Sequence, residues 1–374
     1  MSVQSEITRL STAVASARTA ITNKGGTVTS GGGASQLATD IATIPTGGAN
    51  PEVCSTVAEL ESKLSSGNVD KIYKYTGSTT ADYVQNDFYE VYETPDVNYL
   101  TFEASEGQVT VSPAQYWIES SYGTAEYSTD NGVTWNSLLE YDSITADKIQ
   151  FRAVSEGATN GDPWQIEGNN VSVYGEILTI IDYQSVIDGT YEIELSDGCF
   201  ADMFAYQENL LSAENLIMPS LSLPPSCCYD MFYSCFNLVY PPDLPAQEID
   251  FECYCCMFRS CFSLIHAPSI GATTITDVSA MSEMFMFCPS LLEIPELYTL
   301  QITDFCYQSM FANCNSLRFS ETQTSECPNP YRLPYSGTGI EDGDWNSGMF
   351  SGTSGTFTDD PDINTTYYTN ATVV

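Results

Sequence analysis

The side chains with most chemistry to offer are thirteen cysteines and one histidine, His266. Thiolates and imidazole together point to nucleophilic catalysis, zinc binding or disulfide cross-linking. A zinc centre needs ligands that converge tetrahedrally, usually as close-spaced pairs. The nearest approach is Cys253, Cys255 and Cys256 with His266, and that spacing fits none of the usual site types. One histidine cannot both hold a metal and move protons, and the chain has no P-loop, dinucleotide fingerprint or G-x-S-x-G. Asp359, Asp360 and Asp362 make an acidic turn, but without the spaced ligands and glycine of a calcium loop. The residues therefore predict no enzyme activity, no cofactor and no metal.

The positions of the cysteines suggest another role. Met231-Phe232 returns as Met257-Phe258, Met284-Phe285 and Met310-Phe311, with a degenerate first copy at Met203-Phe204. The steps are 28, 26, 27 and 26 residues. Cys199, Cys227, Cys253 and Cys306 each precede a repeat Met by four, and Cys235, Cys261, Cys288 and Cys314 each follow one by four. Gln207 stands where the first copy would have its second Cys, and Ala280 replaces the leading Cys of the fourth. A fixed period of this length is the mark of stacked repeats, in which one repeat position becomes one column. The cysteines then read as two columns of small buried hydrophobes, with free thiols.

Composition narrows the partners. There are 49 acidic residues against 11 basic, a net charge of -38. Such a field repels phosphate backbones and anionic lipid, so neither nucleic acid nor membrane is an expected partner. No apolar run is long enough to span a bilayer, and the polar first residues lack the core of a secretory signal. With 43% hydrophobic residues the chain can build a core, and its length predicts several domains.

Four segments follow in order. Residues 1–50 predict two short amphipathic helices, with Ile7, Leu10, Val14 and Ile21 on one stripe and Leu37 and Ile41 on the other. Stripes this narrow need a partner surface, either other copies of the chain or another protein; a helical pair folded on the next domain is the alternative. Residues 51–95 predict a helix over 57–64 and a β-hairpin pairing 71–77 with 87–93. Residues 96–185 predict an antiparallel β-sandwich, with turns at Glu106-Gly107, Asp130-Asn131-Gly132 and Gly161-Asp162-Pro163. Residues 186–374 hold the repeats, with an insertion and a closing cap expected after Leu317. On the strand side of the repeats, Tyr240, Asp243, His266, Ser269, Glu293 and Glu296 fall between buried positions and are expected to face outward as a candidate receptor-facing row. The alternative is that they are ordinary solvated strand residues.

Four resemblances add to this. Ile7, Leu10, Ala13, Ala20-Ile21, Gly25-Gly26 and Ile44-Pro45 resemble the N-termini of tailed-phage structural proteins, and Lys71-Ile72-Tyr73-Lys74-Tyr75-Thr76-Gly77 resembles a module beside phage tail-fibre segments. Ser128, Asp130, Gly132, Thr134 and Trp135 match the Asp-box of sialidases, which is a structural hairpin there; a sialidase would also need an arginine cluster, and only Arg152 is near. The order of a β-sandwich followed by C-Y-x-x-M-F-x-x-C-x-x-L repeats resembles BspA-like leucine-rich-repeat proteins of gut bacteria and their phages.

The implied architecture is multidomain: short N-terminal helices, a small α/β-hairpin module, an antiparallel Ig-like β-sandwich and a C-terminal leucine-rich-repeat solenoid. The implied function is a structural virion protein (tail fibre, baseplate or head fibre), made in the host cytoplasm. Its N-terminus would attach to other phage proteins and its repeats would hold a bacterial surface glycan or protein. It is expected to be a homo-oligomer, with a trimer favoured. A capsid decoration protein without a receptor, and a bacterial BspA-like adhesin, are the alternatives.

Overall fold

The computed structural model describes residues 97–155 and 161–374, together with the backbone of four earlier strands. The attachment residues Ile7, Leu10, Val14, Ile21, Leu37 and Ile41, and the helix expected over 57–64, lie outside the described residues. The chain divides into two compact units, Met1–Thr94 and Pro95–Val374.

In the first unit, β1 (Glu52–Cys54), β2 (Ile72–Tyr75), β3 (Asp82–Val84) and β4 (Glu90–Tyr92) form one sheet in that order. β1 runs parallel to β2, and the other two pairs are antiparallel. The expected hairpin of 71–77 with 87–93 is corrected: β3 lies between them and is the direct partner of both β2 and β4. β3, at three residues, is too short to announce itself as a strand.

The second unit is mostly β, with two helices among the described residues. Its largest sheet contains β5 (Leu100–Ser112), β6 (Glu126–Ser128), β7 (Asn136–Ser137), β8 (Ile144–Ala146), β9 (Lys148–Arg152), β10 (Gln165–Glu176), β11 (Leu210–Ser212) and β12 (Leu216–Ile217). The order is β11-β10-β5-β9-β6-β7, with β12 also beside β10 and β8 also beside β5. Helix α1 (Gln115–Ser120) begins where the Asp162 carboxylate accepts the Gln115 N–H at 3.0 Å. Helix α2 (Thr179–Ile187) follows β10.

The turn expected at Glu106-Gly107 lies inside β5 instead, opposite an irregularity in β10 between Glu167 and Asn169. Before it, Leu100 and Phe102 are buried; after it, Val109 and Val111 are. β10 makes the same switch, from Ile166 to Val171 and Val173. The register leaves residues 107–109 of β5 opposite Gly168 of β10, and across that irregularity both strands reverse their inward parity together and stay apolar on the core side. Gly107, at φ 75°, supplies the left-handed residue. Against this face pack Trp117, Phe151 and Trp164, with ring centroids 4.9–6.0 Å apart.

The core does not stop at 185. Phe102 meets Phe204 edge to face at 6.1 Å, the Trp164 N–H donates to the Met203 carbonyl at 3.0 Å, and β10 pairs in parallel with β11 and β12 of the first repeat. Residues 96–185 and 186–374 thus share one continuous hydrophobic core from Leu100 to Ala371.

Within the repeats each Met-Phe segment is a ribbon of overlapping turns. Alternate N–H groups bond the carbonyl three residues back, as Met257 to Tyr254 at 3.3 Å, and the others cross to the next repeat, as Phe258 to Met284 at 2.9 Å. The ribbon needs a left-handed residue every fourth position: Ser226, Asp230 and Ser234, then Glu252, Cys256 and Ser260, then Ser279, Glu283 and Phe287. Serine, aspartate and asparagine predominate because short polar side chains tolerate that conformation best. The Met and Phe side chains are fully buried in every copy, and the phenyl rings stack along the repeats at 5.2–5.7 Å. Each such ring removed from water is worth roughly 1.5–3 kcal/mol before ordering costs.

After Leu317 the rows continue with a detour. Met349-Phe350 takes the next place in the stack, its Met349 carbonyl accepting the Phe311 N–H at 3.0 Å, although it lies 39 residues beyond Met310. The intervening chain contributes Arg318–Ser320 and Asn329–Arg332, which join Thr366–Thr369 and Ser354–Gly355 in a four-stranded sheet. The last strand, Thr372–Val373, runs parallel to Glu293–Ile294. It occupies the place beside the fourth repeat's strand that the fifth repeat's own strand vacates.

Candidate functional site

The twelve cysteines among the described residues are all buried. In the column after the Met, each thiol donates across the stack to the carbonyl of the preceding repeat's Phe: Cys235 to Phe204 at 2.9 Å, Cys261 to Phe232 at 3.1 Å, Cys288 to Phe258 at 3.0 Å and Cys314 to Phe285 at 3.0 Å. Burial pushes the Cys235 and Cys314 thiols up to about 12, so they stay protonated donors. The first copy's Gln207 now has a reason. No repeat precedes it, and its side-chain oxygen instead accepts the Ile166 N–H of β10 at 2.8 Å, while Asn209 donates to the Ile166 carbonyl at 3.2 Å. Among the described residues no group of three His, Cys, Asp or Glu side chains is placed to hold a metal.

The Asp-box is a hairpin between β6 and β7. Asp130 accepts the Thr134 N–H at 2.9 Å and the Thr134 hydroxyl at 2.6 Å, and Gly132 has φ 79°. The Trp135 ring N–H donates to the Gly132 carbonyl at 3.0 Å. Arg152 lies between the Trp135 and Tyr183 rings, 4.0 and 4.6 Å from their centroids, and pairs with Glu126 at 2.7 Å. Its guanidinium is engaged by the Glu126 carboxylate and flanked by the two rings.

The six residues expected to face outward fall on two adjacent ladders along the strand side. In the first, Tyr240 and His266 stack at 5.1 Å with ring planes 13° apart, and His266 Nδ1 meets the Glu293 carboxylate at 3.0 Å. The ladder extends through Ser212, bridged to Tyr240, and Thr372, paired with Glu293. In the second, Asp243 accepts both the Ser269 N–H at 3.1 Å and the Ser269 hydroxyl at 2.6 Å. Glu296 lies further along and accepts the Tyr298 hydroxyl, and Tyr335 packs edge to face on Tyr298 at 5.6 Å. Tyr240, Asp243 and Ser269 are exposed; His266, Glu293 and Glu296 are half-buried.

Tyr240 and His266 each cover a face of the other, and the row offers its polar rim: the Tyr240 hydroxyl, His266 Nε2 and carboxylate oxygens. Tyr298, Tyr335, Ser212 and Thr372 were not foreseen. Thr372 reaches the row only because the C-terminus returns to the fourth repeat, which no local pattern encodes.

A second group lies on the turn side. Arg259 pairs with Glu283 and has its guanidinium 5.9 Å from the Tyr233 ring. Half-buried Asp230 is pushed up to about 7 by burial, with Asp202 and Glu283 adding to the shift and Arg259 opposing it. Beside it, Tyr206 and Tyr233 meet edge to face at 5.2 Å. Among the described residues no helix is long and apolar enough to cross a membrane. No family model, no curated protein and no solved structure matches this chain.

Proposed function

We propose that this chain is a structural virion protein of a tailed phage, held by its N-terminal segment and displaying BspA-like leucine-rich repeats behind an Ig-like β domain. The strand-side ladders of those repeats engage a bacterial surface glycan or protein. The observation that carries the adhesive reading is the gathering of Tyr240, His266 and Glu293 on one ladder and Asp243, Ser269 and Glu296 on the next, with outward polar groups in rows one repeat apart. Rows of hydroxyl, imidazole and carboxylate suit the hydroxyls of a sugar chain, and copies of the chain would multiply weak contacts by avidity. The virion reading draws on the phage-like residues of 1–95, including Ile7, Leu10 and the 71–77 module, and homo-oligomerisation through the first 50 residues, most simply a trimer, goes with it.

The test uses labelled full-length protein on a panel of bacterial cells and surface glycans. Binding lost on Tyr240→Ala with Glu293→Ala, in a protein whose melting is unchanged, is the expected result. Binding retained by that double variant, or absent on every surface, overturns the adhesive reading. In parallel, deletion of residues 1–50 should abolish incorporation into particles; incorporation that persists overturns the attachment role. A second reading, a capsid decoration protein with no receptor, is favoured by the side-chain bonds within the ladders, since Asp243–Ser269 and His266–Glu293 also serve simply to fasten one repeat to the next.

A further inference from the structure

The two cysteine columns differ in what their sulfurs face. Those after the Met aim their S–H groups at backbone carbonyls, as described above. In the column before the Met, the first two sulfurs face each other: Cys199 Sγ and Cys227 Sγ are 3.5 Å apart, both fully enclosed, with Cys228 and Cys253 beside them. A disulfide needs its α-carbons about 4.4–6.8 Å apart, which neighbouring repeats of a stack supply, and an S–S bond of about 2.05 Å, so the sulfurs need only a small approach. Backbone bonds on either side, Phe200 N–H to the Cys227 carbonyl at 2.8 Å and Asp202 N–H to Tyr229 at 2.8 Å, already hold the two segments in register.

We propose that Cys199 and Cys227 are an oxidation site that cross-links the first repeat to the second when the folded protein meets a peroxide. Hydrogen peroxide is small and uncharged enough to enter an apolar core. One thiol gives its sulfur electron pair to a peroxide oxygen, breaking the O–O bond and leaving a sulfenic acid and one water. The second thiol attacks that sulfur, and the hydroxyl leaves with a proton as a second water. Two protein thiols lose two electrons in all, and one peroxide becomes two waters. The cross-link ties the first repeat, whose strands β11 and β12 pair with β10, to the second. Burial raises the Cys227 thiol, which makes thiolate scarce and the reaction slow.

The test is a thiol map of the full chain. Protein purified under reducing conditions is exposed to hydrogen peroxide while folded, then denatured in an alkylating agent, digested and weighed. The expected product is one peptide pair joining Cys199 to Cys227, about 2 Da lighter than the sum of its thiol forms, with Cys235, Cys261, Cys288 and Cys314 alkylated. The oxidised protein should melt higher, and a reductant should reverse both changes. The Cys199→Ala variant should form no such pair and keep its melting temperature under peroxide. Full alkylation of Cys199 and Cys227 after exposure, or cross-linking seen only in denaturant, overturns the proposal. So does oxidation of the carbonyl-facing column ahead of this pair.

Discussion

At the scale of single residues, the repeat cysteines act as donors as well as fillers. Cys261 is fully buried and its thiol reaches the Phe232 carbonyl at 3.1 Å. That carbonyl also accepts the Cys235 N–H at 3.2 Å, so losing the thiol does not orphan it. Replacing Cys261 with Val keeps a small apolar side chain and removes the donor. It should lower stability by about 1 kcal/mol, with any crowding from the extra methyl added to that. Cys261→Ser keeps a donor in nearly the same place and should unfold at a denaturant midpoint between wild type and Val. Equal midpoints for all three proteins would show that the S–H bond contributes nothing. The same distinction applies to Gln207, whose departure from the repeat looked like decay in the sequence. With Ile166 beside it, the residue is the correct end piece for a stack that begins against β10.

At the scale of elements, the turn ribbon makes a sharper demand than the motif letters do. Ser260 has φ 62°, and its N–H crosses to the Met286 carbonyl at 2.8 Å. A β-branched residue there meets the full steric penalty of the left-handed region, so Ser260→Val should cost about 1–2 kcal/mol. Ser260→Gly removes the penalty and adds only unfolded-chain entropy, and should leave the denaturant midpoint within error or raise it. A Val variant as stable as wild type would mean the ribbon can relax elsewhere.

What was legible and what was not divides along the same line. The columns of Met257, Phe258 and Cys261 could be read because a fixed period turns sequence spacing into spatial contact. The Asp-box turn could be read because the side-chain hydrogen bonds of Ser128, Asp130 and Trp135 close within the turn itself. Strand alternation between buried positions sufficed for the exposure of Tyr240, Asp243 and Ser269. The bulge at Gly107 was mistaken for a turn, because a left-handed glycine next to an acidic residue marks both. β3 escaped notice because it is only three residues long, and the joining of β10 to β11 because parallel pairing across some forty residues leaves no local trace. The return of Thr372–Val373 to the fourth repeat escaped for that reason too.

At the scale of the whole molecule, charge sets how stability depends on pH. A net of -38 makes the compact state repel itself, and two carboxyls inside it add a specific term. Glu176, at the end of β10 where Leu178 and Thr179 begin α2, is pushed up to about 7 by burial, with the Leu178 N–H bond only partly opposing. Asp230 is pushed to the same region by burial and by Asp202 and Glu283. Both groups therefore hold a proton in the folded chain to near neutrality but release it at about 4–4.5 when unfolded. Between those values the folded state binds more protons, and stability falls as pH rises. Their contribution is complete below about pH 4 and gone above about pH 7. Asp130 has the opposite sign: the Thr134 hydroxyl and N–H hold its carboxyl below the usual range, so what it contributes is lost in strong acid. Melting temperature should therefore be highest at mildly acidic pH and drop by at least about 3 °C between pH 5 and pH 8 at fixed ionic strength. Added salt should narrow that difference only in part, because screening reaches the exposed charges and not Glu176. Glu176→Gln cannot ionise, and its melting curve should be flatter over the same range. If Glu176→Gln keeps the full slope of the wild type, the pH dependence comes from surface repulsion and Asp230 rather than from the carboxyl at the joint of the sheet and α2.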